Sequence, residues 1–223
     1  MKPALHRFGE GRHPVVVVDD FTGDVEAVRA IAAALGPFPA SQGNHYPGLR
    51  RYITPADSTA YAYATRLLED AATFIGGGFD YDVFDWIEAS FSIVTTAPDR
   101  LSPPQRAPHF DSTDPGYLAL LHYLSDAAGT AFYRQRLTGI EQVTEDNLDL
   151  FVESARPAAA TARGYIQGSD AFYEQIGMVE GRADRLVIYH GSLLHSGIIP
   201  RDAALNSDPA AGRLTANLFV RGR

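Results

Sequence analysis

Cysteine is absent from all 223 residues. That excludes disulfides, thiolate nucleophiles, iron–sulfur clusters and zinc–thiolate sites together. Basic excess is missing as well. The 19 Lys and Arg against 27 Asp and Glu leave a net charge of −8, so a general nucleic-acid binder, which must neutralise phosphates, is not expected. The local basic pairs Arg134/Arg136 and Arg221/Arg223 are the exceptions. No apolar run is long enough to cross a bilayer. The opening MKPALHRFGEGRHP has no apolar stretch of the secretory kind. A cytoplasmic location is therefore the default expectation. Nucleotide signatures are also lacking: no Gly-x-Gly-x-x-Gly follows the first strand pattern, and Gly76-Gly77-Gly78 lacks the Lys-Ser/Thr of a phosphate loop.

What is present is ordinary globular material, 45% hydrophobic and 21% charged, in a chain long enough to bury a core without staples. Val15-Val16-Val17-Val18 predicts a buried strand. Asp19, Asp20 and Thr22 supply capping chemistry for an amphipathic helix from Asp24 to Leu35, stopped at Gly36-Pro37. The polar stretch 39–57, with Asn44-His45-Tyr46-Pro47-Gly48 and Arg50-Arg51, predicts a surface loop, or a pocket wall, since binding groups concentrate on loops. A second helix, capped by Asp57 or Ser58, runs to about Phe74 and ends at the triple glycine. From Tyr81 the period changes. Phe84 to Val94, Tyr117 to Leu124, Thr130 to Arg134, Asp184 to His190 and Leu214 to Val220 predict strands, while 144–155 and 169–176 predict helices. One α+β domain over 1–223 is expected: a helical support region over 1–80, then a strand-rich sandwich or barrel over 81–223 with a helical insertion about 140–178.

The chemistry concentrates in Pro108-His109-Phe110-Asp111 and Leu194-His195-Ser196-Gly197. On an extended segment the side chains of a His-x-Asp pair share one face. Imidazole with carboxylate is mixed nitrogen–oxygen ligation suited to iron(II). A histidine from another strand completes a facial triad and leaves positions open. Taken alone, the three residues fit a hydrogen-bonded pair as well as a ligand set. His190 competes with His195 for the distal place, and His6, His13, His45 and His122 show no partner pattern. His122 must point opposite to Tyr123, so only one of them can face a pocket.

The order of several segments resembles the iron(II)- and 2-oxoglutarate-dependent dioxygenases, nearest to their prolyl-hydroxylase-like branch, from Val15 to the end of the chain. The carrying residues are Val18-Asp19-Asp20-Phe21, His109-Phe110-Asp111, Leu120 to Asp126, Gly129-Thr130-Ala131-Phe132, Asp184 to Tyr189 followed by His195-Ser196-Gly197, and Gly212-Arg213-Leu214-Thr215. The resemblance implies a double-stranded β-helix (jelly-roll, cupin-like) core over 81–223, with the N-terminal helices packed on its major sheet. It implies iron(II) held by His109, Asp111 and His195. It further implies 2-oxoglutarate held by Arg213, whose guanidinium pairs a carboxylate through two hydrogen bonds, with Tyr123 and Thr215 as further donors.

The segment between His195 and Arg213 is longer than the branch's usual one and holds Asn206-Ser207-Asp208-Pro209; Arg201 is the alternative anchor. The implied reaction is decarboxylation of 2-oxoglutarate coupled to hydroxylation of a small-molecule or peptidyl substrate. Tyr46, Arg50, Arg134 and Arg136 are expected on the substrate's walls, the arginines suiting an anionic group. A cupin-type metal enzyme without 2-oxoglutarate would need the triad but not Arg213. A non-catalytic jelly-roll binding module would need neither. No nucleic-acid or membrane partner is expected, and the chain leaves room for a homodimer.

Overall fold

A computed structural model describes residues 1–40 and 46–223. Among the described residues, ten strands form two antiparallel sheets. The larger has seven strands in the order β1 (Lys2–Phe8), β2 (His13–Asp19), β8 (Arg185–His190), β5 (Tyr117–Tyr123), β10 (Leu214–Gly222), β4 (Phe84–Val94) and β3 (Gly48–Tyr52). The smaller has the order β7 (Tyr173–Gly181), β6 (Ala127–Gln135) and β9 (His195–Ile198).

Strand alternation gives each face of the large sheet its own task. Val16, Val18, Leu118, Leu120, Leu186 and Ile188 face the helices α1 (Val25–Ala34) and α2 (Ser58–Phe79) in one core. The interleaved Val15, Val17, Ala119, Tyr123, Val187 and Tyr189 face the small sheet, where Phe132 and Val179 meet them. The run of four valines therefore serves two cores. The third helix, α3 (Leu148–Thr161), packs through Phe151 and Ala158 against Ala131, Tyr133 and Tyr173. Among the described residues no helix is long and apolar enough to cross a membrane.

Several sequence expectations are corrected. The first eighty residues carry three strands as well as two helices. Most of β1 is exposed, and it is held by pairing with β2 rather than by an apolar pattern. Part of the polar stretch 39–57 is an edge strand, β3; Asn44 and His45 lie outside the described residues. Asp24, rather than Asp19 or Asp20, caps α1 by accepting from the Ala27 amide at 3.1 Å. The triple glycine does not end α2, which continues to Phe79 and stops where Asp80 turns left-handed at φ 60°. A Cβ on Gly78 would stand 2.6 Å from Val16 Cγ2, so this glycine lets α2 lie close on β2.

The expected helix over 169–176 is instead a turn leading into β7. The Asp170 carboxylate accepts from the Phe172 and Tyr173 amides, both at 2.7 Å. Pairing with β6 then outweighs the local helical pattern. Within the expected helical insertion about 140–178, only Leu148–Thr161 is an α-helix.

Gly129 has φ +118°, and a Cβ there would lie 2.0 Å from the Val179 carbonyl oxygen. Gly129→Ala is expected to cost about 1–3 kcal/mol from backbone strain alone, and more from forcing β6 and β7 apart. A lowered Tm, read by thermal denaturation with circular dichroism, checks this; an unchanged Tm would contradict it.

Candidate metal centre and its cavity

His109-Phe110-Asp111 is an extended segment laid against β9 and the end of β8. His109 and His195 exchange backbone hydrogen bonds at 2.9 and 2.8 Å, and the Asp111 amide donates to the Gly191 carbonyl at 2.6 Å. This small antiparallel bridge brings the three side chains together. One ligand atom from each of His109, Asp111 and His195 lies within 4.8 Å of the others. His109 Nε2 stands 3.8 Å from Asp111 Oδ1, and His195 Nε2 stands 3.6 Å from Asp111 Oδ2. The imidazole rings are 4.3 Å apart, centre to centre. These separations leave room for one cation, since donors about 2.1 Å from a metal stand a few ångströms from one another.

The donor chemistry fits as well. His195 is buried, and its Nδ1 lies 2.8 Å from the Leu193 carbonyl oxygen. A carbonyl can only accept, so Nδ1 carries the proton and Nε2 turns its lone pair toward Asp111 and His109. Fixing the tautomer from behind in this way is the usual support of a ligating histidine. His190, the competing residue, packs edge-on against Phe79 at 5.1 Å, away from the triad. Burial lowers its basicity.

The three residues lie on the wall of a cavity of about 770 Å³. Arg213, Thr215, Thr130 and Asn217 line it too, with apolar surface from Phe110, Val152 and Ala155. Arg213 leads into β10, and its Nη2 donates to the Gly129 carbonyl at 3.3 Å. Its Nε is buried with no hydrogen-bond partner among the described residues. An unpaired buried guanidinium N–H is costly, so this geometry suits an anion. A Cβ on Gly197, two residues past His195 on β9, would stand 3.5 Å from Arg213 Nη2. The guanidinium therefore lies beside the strand that carries the distal histidine. Arg201 is exposed and lines a different pocket.

Tyr123 does not reach the cavity wall. Its hydroxyl is held by Thr130 Oγ1 at 2.6 Å, and the Arg213 guanidinium lies over its ring at 5.7 Å. A phenol that does line the cavity and feels the Arg213 charge is Tyr46. Its buried hydroxyl lies alongside Ser92 and Thr215 without a well-directed hydrogen bond to either. Burial raises its pKa above the ordinary value, with Arg213 and Arg50 opposing, so it is a neutral donor near neutral pH. Tyr46 and Arg50 line the cavity.

Arg134 and Arg136 are not on this cavity wall. Three carboxylates claim Arg134: Glu10, Glu174 at 3.1 Å and Glu141 at 3.7 Å. Arg136 donates to the Asp170 carbonyl at 2.9 Å. Both lie where β6 meets the β1–β2 turn and β7, and their charge is compensated there. Glu141 completes that arrangement by accepting from the Glu10 and Gly11 amides at 3.0 Å each. Nothing in the local sequence around 134–136 distinguishes such a clamp from a binding site. The α3 wall also went unread as part of the site, because an amphipathic helix carries no sign of what its apolar face covers.

The overall fold is shared with iron- and 2-oxoglutarate-dependent oxygenases of known structure. HygX from Streptomyces hygroscopicus, solved with nickel and 2-oxoglutarate bound, superposes with a TM-score of 0.58 at 14% identity over 93% of this chain and 82% of its own. The non-haem α-ketoglutarate-dependent epimerase SnoN from nogalamycin biosynthesis gives 0.55 at 14% identity, covering 95% and 79%. A prolyl hydroxylase from Trichoplax adhaerens, in complex with a hypoxia inducible factor peptide fragment, gives 0.51 at 10% identity, covering 93% and 82%. At such identities the likeness is one of fold. By sequence the chain belongs to DUF6445, a family of unknown function whose model matches residues 1–220. No curated protein matches it in sequence.

Proposed function

We propose that this chain is a non-haem iron(II) oxygenase that couples 2-oxoglutarate decarboxylation to hydroxylation of a small-molecule or peptidyl substrate. On this reading its two sheets form the double-stranded β-helix of that superfamily, nearest to the prolyl-hydroxylase-like branch. One observation carries the proposal. The His109–Asp111–His195 cluster shares a cavity with a part-buried guanidinium, Arg213, whose buried Nε has no partner among the described residues.

His109, Asp111 and His195 would hold iron(II), giving two neutral nitrogens and one anionic oxygen on one side of the ion. When bound, the iron supplies the oxygen chemistry, and the chain supplies binding, orientation and a dry setting. Arg213 would pair with the distal carboxylate of 2-oxoglutarate, with Thr215 and the Tyr46 hydroxyl as further donors. Gly197, beside Arg213, is two strand residues from His195, roughly 7 Å along an extended chain. A five-carbon dicarboxylate spans such a gap. Tyr123 would act one step back, supporting Thr130 and stacking under Arg213. Tyr189, edge-on to His195 at 4.8 Å, is kept neutral by burial and by Asp111. It closes the site on that side against water.

Anaerobic titration tests the reading. Iron(II) with 2-oxoglutarate is expected to produce a visible metal-to-ligand charge-transfer band. In Arg213→Ala the band should require roughly ten- to hundredfold more 2-oxoglutarate, because a charge-assisted, bidentate contact is worth about 1.5–3 kcal/mol. No iron binding to the wild-type chain would sink the proposal. Full 2-oxoglutarate affinity in Arg213→Ala would remove Arg213 as the anchor, and iron binding in the wild type with no response to 2-oxoglutarate would favour a metal enzyme without that cosubstrate.

A further inference from the structure

A second arginine on the same cavity wall lies outside the metal and cosubstrate cluster. Arg50 sits in β3, opposite Ser92 of β4, and its Nε donates to Ser92 Oγ at 3.3 Å. Its guanidinium lies over the Tyr46 ring at 4.8 Å. Its Nη1 stands 3.9 Å from Glu88 Oε1. That is about 1 Å beyond a closed charge-assisted hydrogen bond. The two side chains are 19% and 35% exposed; Arg50 lines the cavity, and Glu88 borders it through Arg50 and through Phe219 opposite, without lining it itself. Arg51, by comparison, closes on Asp57 at 2.5 Å. The Tyr46 ring and Ser92 instead hold the Arg50 fork in place while its outer face stays toward the cavity.

The position relative to the metal cluster follows from register. Glu88 is opposite Phe219 of β10, and the Phe219 and Tyr117 rings are 5.4 Å apart. A Cβ on Gly191 would meet the Tyr117 ring at 2.5 Å and Asp111 Cβ at 3.3 Å. One aromatic layer thus separates the charge pair from the candidate metal ligand. Burial raises the pKa of Tyr117 above its ordinary value, and Asp111 and then Glu88 push the same way, so these charges converge on one phenol. Between the pair and the triad the wall is mostly apolar, from Phe219, Phe110, Val152 and Ala155.

We propose that the Arg50–Glu88 pair recognises the substrate, and that the substrate is a zwitterion: an α-amino acid with an apolar side chain. Arg50 takes its carboxylate and Glu88 its ammonium group. A single carbon separates those two groups, which matches two opposite charges standing just out of contact. The side chain then runs along the apolar wall toward His109 and Asp111. Unlike the saturated Arg134–Glu141 clamp, this pair has capacity left on both partners. The assignment rests on the oxygenase reading above, and it names the substrate class for that site.

Two measurements on the whole protein test it. Calorimetric binding to the metal-free chain uses leucine, phenylalanine and norvaline, each beside its N-acetyl and methyl-ester derivative. Succinate formation with iron(II) and 2-oxoglutarate uses the same panel. At least one free amino acid is expected to bind, and to stimulate succinate formation, on the order of tenfold better than either blocked form, since each blocked group removes one charged contact. Glu88→Gln should abolish the discrimination against the N-acetyl form only. Arg50→Gln should abolish the discrimination against the ester only. This crossed pattern would not follow from a merely structural role. If blocked and free forms bind alike, or if no member of the panel binds, the assignment is overturned. A charge-transfer band in the same preparation then shows that the oxygenase reading stands without it. Amino-acid binding without that band would overturn the oxygenase reading instead.

Discussion

Asp111→Ala is expected to lower iron(II) affinity by at least about a thousandfold and to abolish 2-oxoglutarate turnover. Asp111 is the only carboxylate in the cluster, and its two oxygens face the two imidazoles at 3.8 and 3.6 Å. Without it, two neutral histidines remain, and nothing in the set offsets the charge of a divalent cation. Losing a residue that merely supports a ligand costs 10–100-fold in metal affinity, so loss of the sole anionic ligand should cost more. The fold should survive, because the residue's backbone amide remains on the Gly191 carbonyl and its side chain is not part of a hydrophobic cluster. Anaerobic iron titration alongside a circular dichroism melt separates the two effects. A variant that binds iron as tightly as the wild type would remove Asp111 from the site.

The second large effect concerns stability. Asp184→Ala is expected to cost about 3–5 kcal/mol, the range for removing one partner of a buried charged network. For a chain of this size that lowers Tm by roughly 10–15 °C. Asp184, at φ 63° just before β8, accepts from the Thr22 amide at 2.9 Å, the Thr22 hydroxyl at 2.7 Å, the Gly23 amide at 2.7 Å and His122 Nε2 at 3.0 Å. His122 accepts in turn from the Tyr63 hydroxyl at 2.7 Å. One carboxylate therefore ties the entry to α1, strand β5 and helix α2 together on the outer side of the large sheet. Its removal leaves two backbone amides and a fully buried imidazole without their partner.

The same network sets an acid limit. Burial disfavours the charged Asp184, but the hydrogen bonds from His122, Thr22 and Gly23 outweigh it and hold the carboxyl well below its ordinary 3.8. A lowered carboxyl pKa gives stability that is complete above 3.8 and is lost as pH falls toward the folded value. Burial also lowers the basicity of His122 below its ordinary 6.5, with Asp184 opposing. An imidazole held neutral in the fold is protonated first in the unfolded chain, so that contribution is lost as pH falls below 6.5. Both signs agree: stability declines on acidification, first below about pH 6.5 and again below about pH 3.8. Urea titrations across this range in wild type and His122→Phe measure it. The variant should lose the His122 share of the upper step, leaving the part that comes from His190, whose pKa burial also lowers, and should keep the lower one. An upper step of full size in that variant would remove His122 as its source.

Much of this was legible along the chain because it depends on local pattern. Val15 to Val18, Phe84 to Val94 and Tyr117 to Leu124 are strands by residue type and alternation. Alternation alone also required His122 and Tyr123 to part company, and they do, one in the network under the helices and one between the sheets. The failures have local causes as well. β1 has no apolar period to reveal it, and the start of β7 carries a helical pattern that pairing with β6 overrides.

The sequence by itself determined which residue types could hold a metal: with no cysteine, only histidines and carboxylates were left, and His109-Phe110-Asp111 set two of them on one face. Residue pattern alone left His190 beside His195 and Arg201 beside Arg213, and only the family resemblance ranked them. It did not set Tyr46 beside Tyr123, nor show that Arg134 and Arg136 are held by the Glu10, Glu141 and Glu174 carboxylates. Those last contacts belong to the tertiary structure. A side chain's direction follows from its own strand, but what it meets depends on register between strands far apart in sequence, as where Val15 of β2 pairs with Tyr189 of β8. Only the closed pair of sheets places His195 opposite Asp111, with the Arg213 guanidinium beside Gly197 further along the same strand.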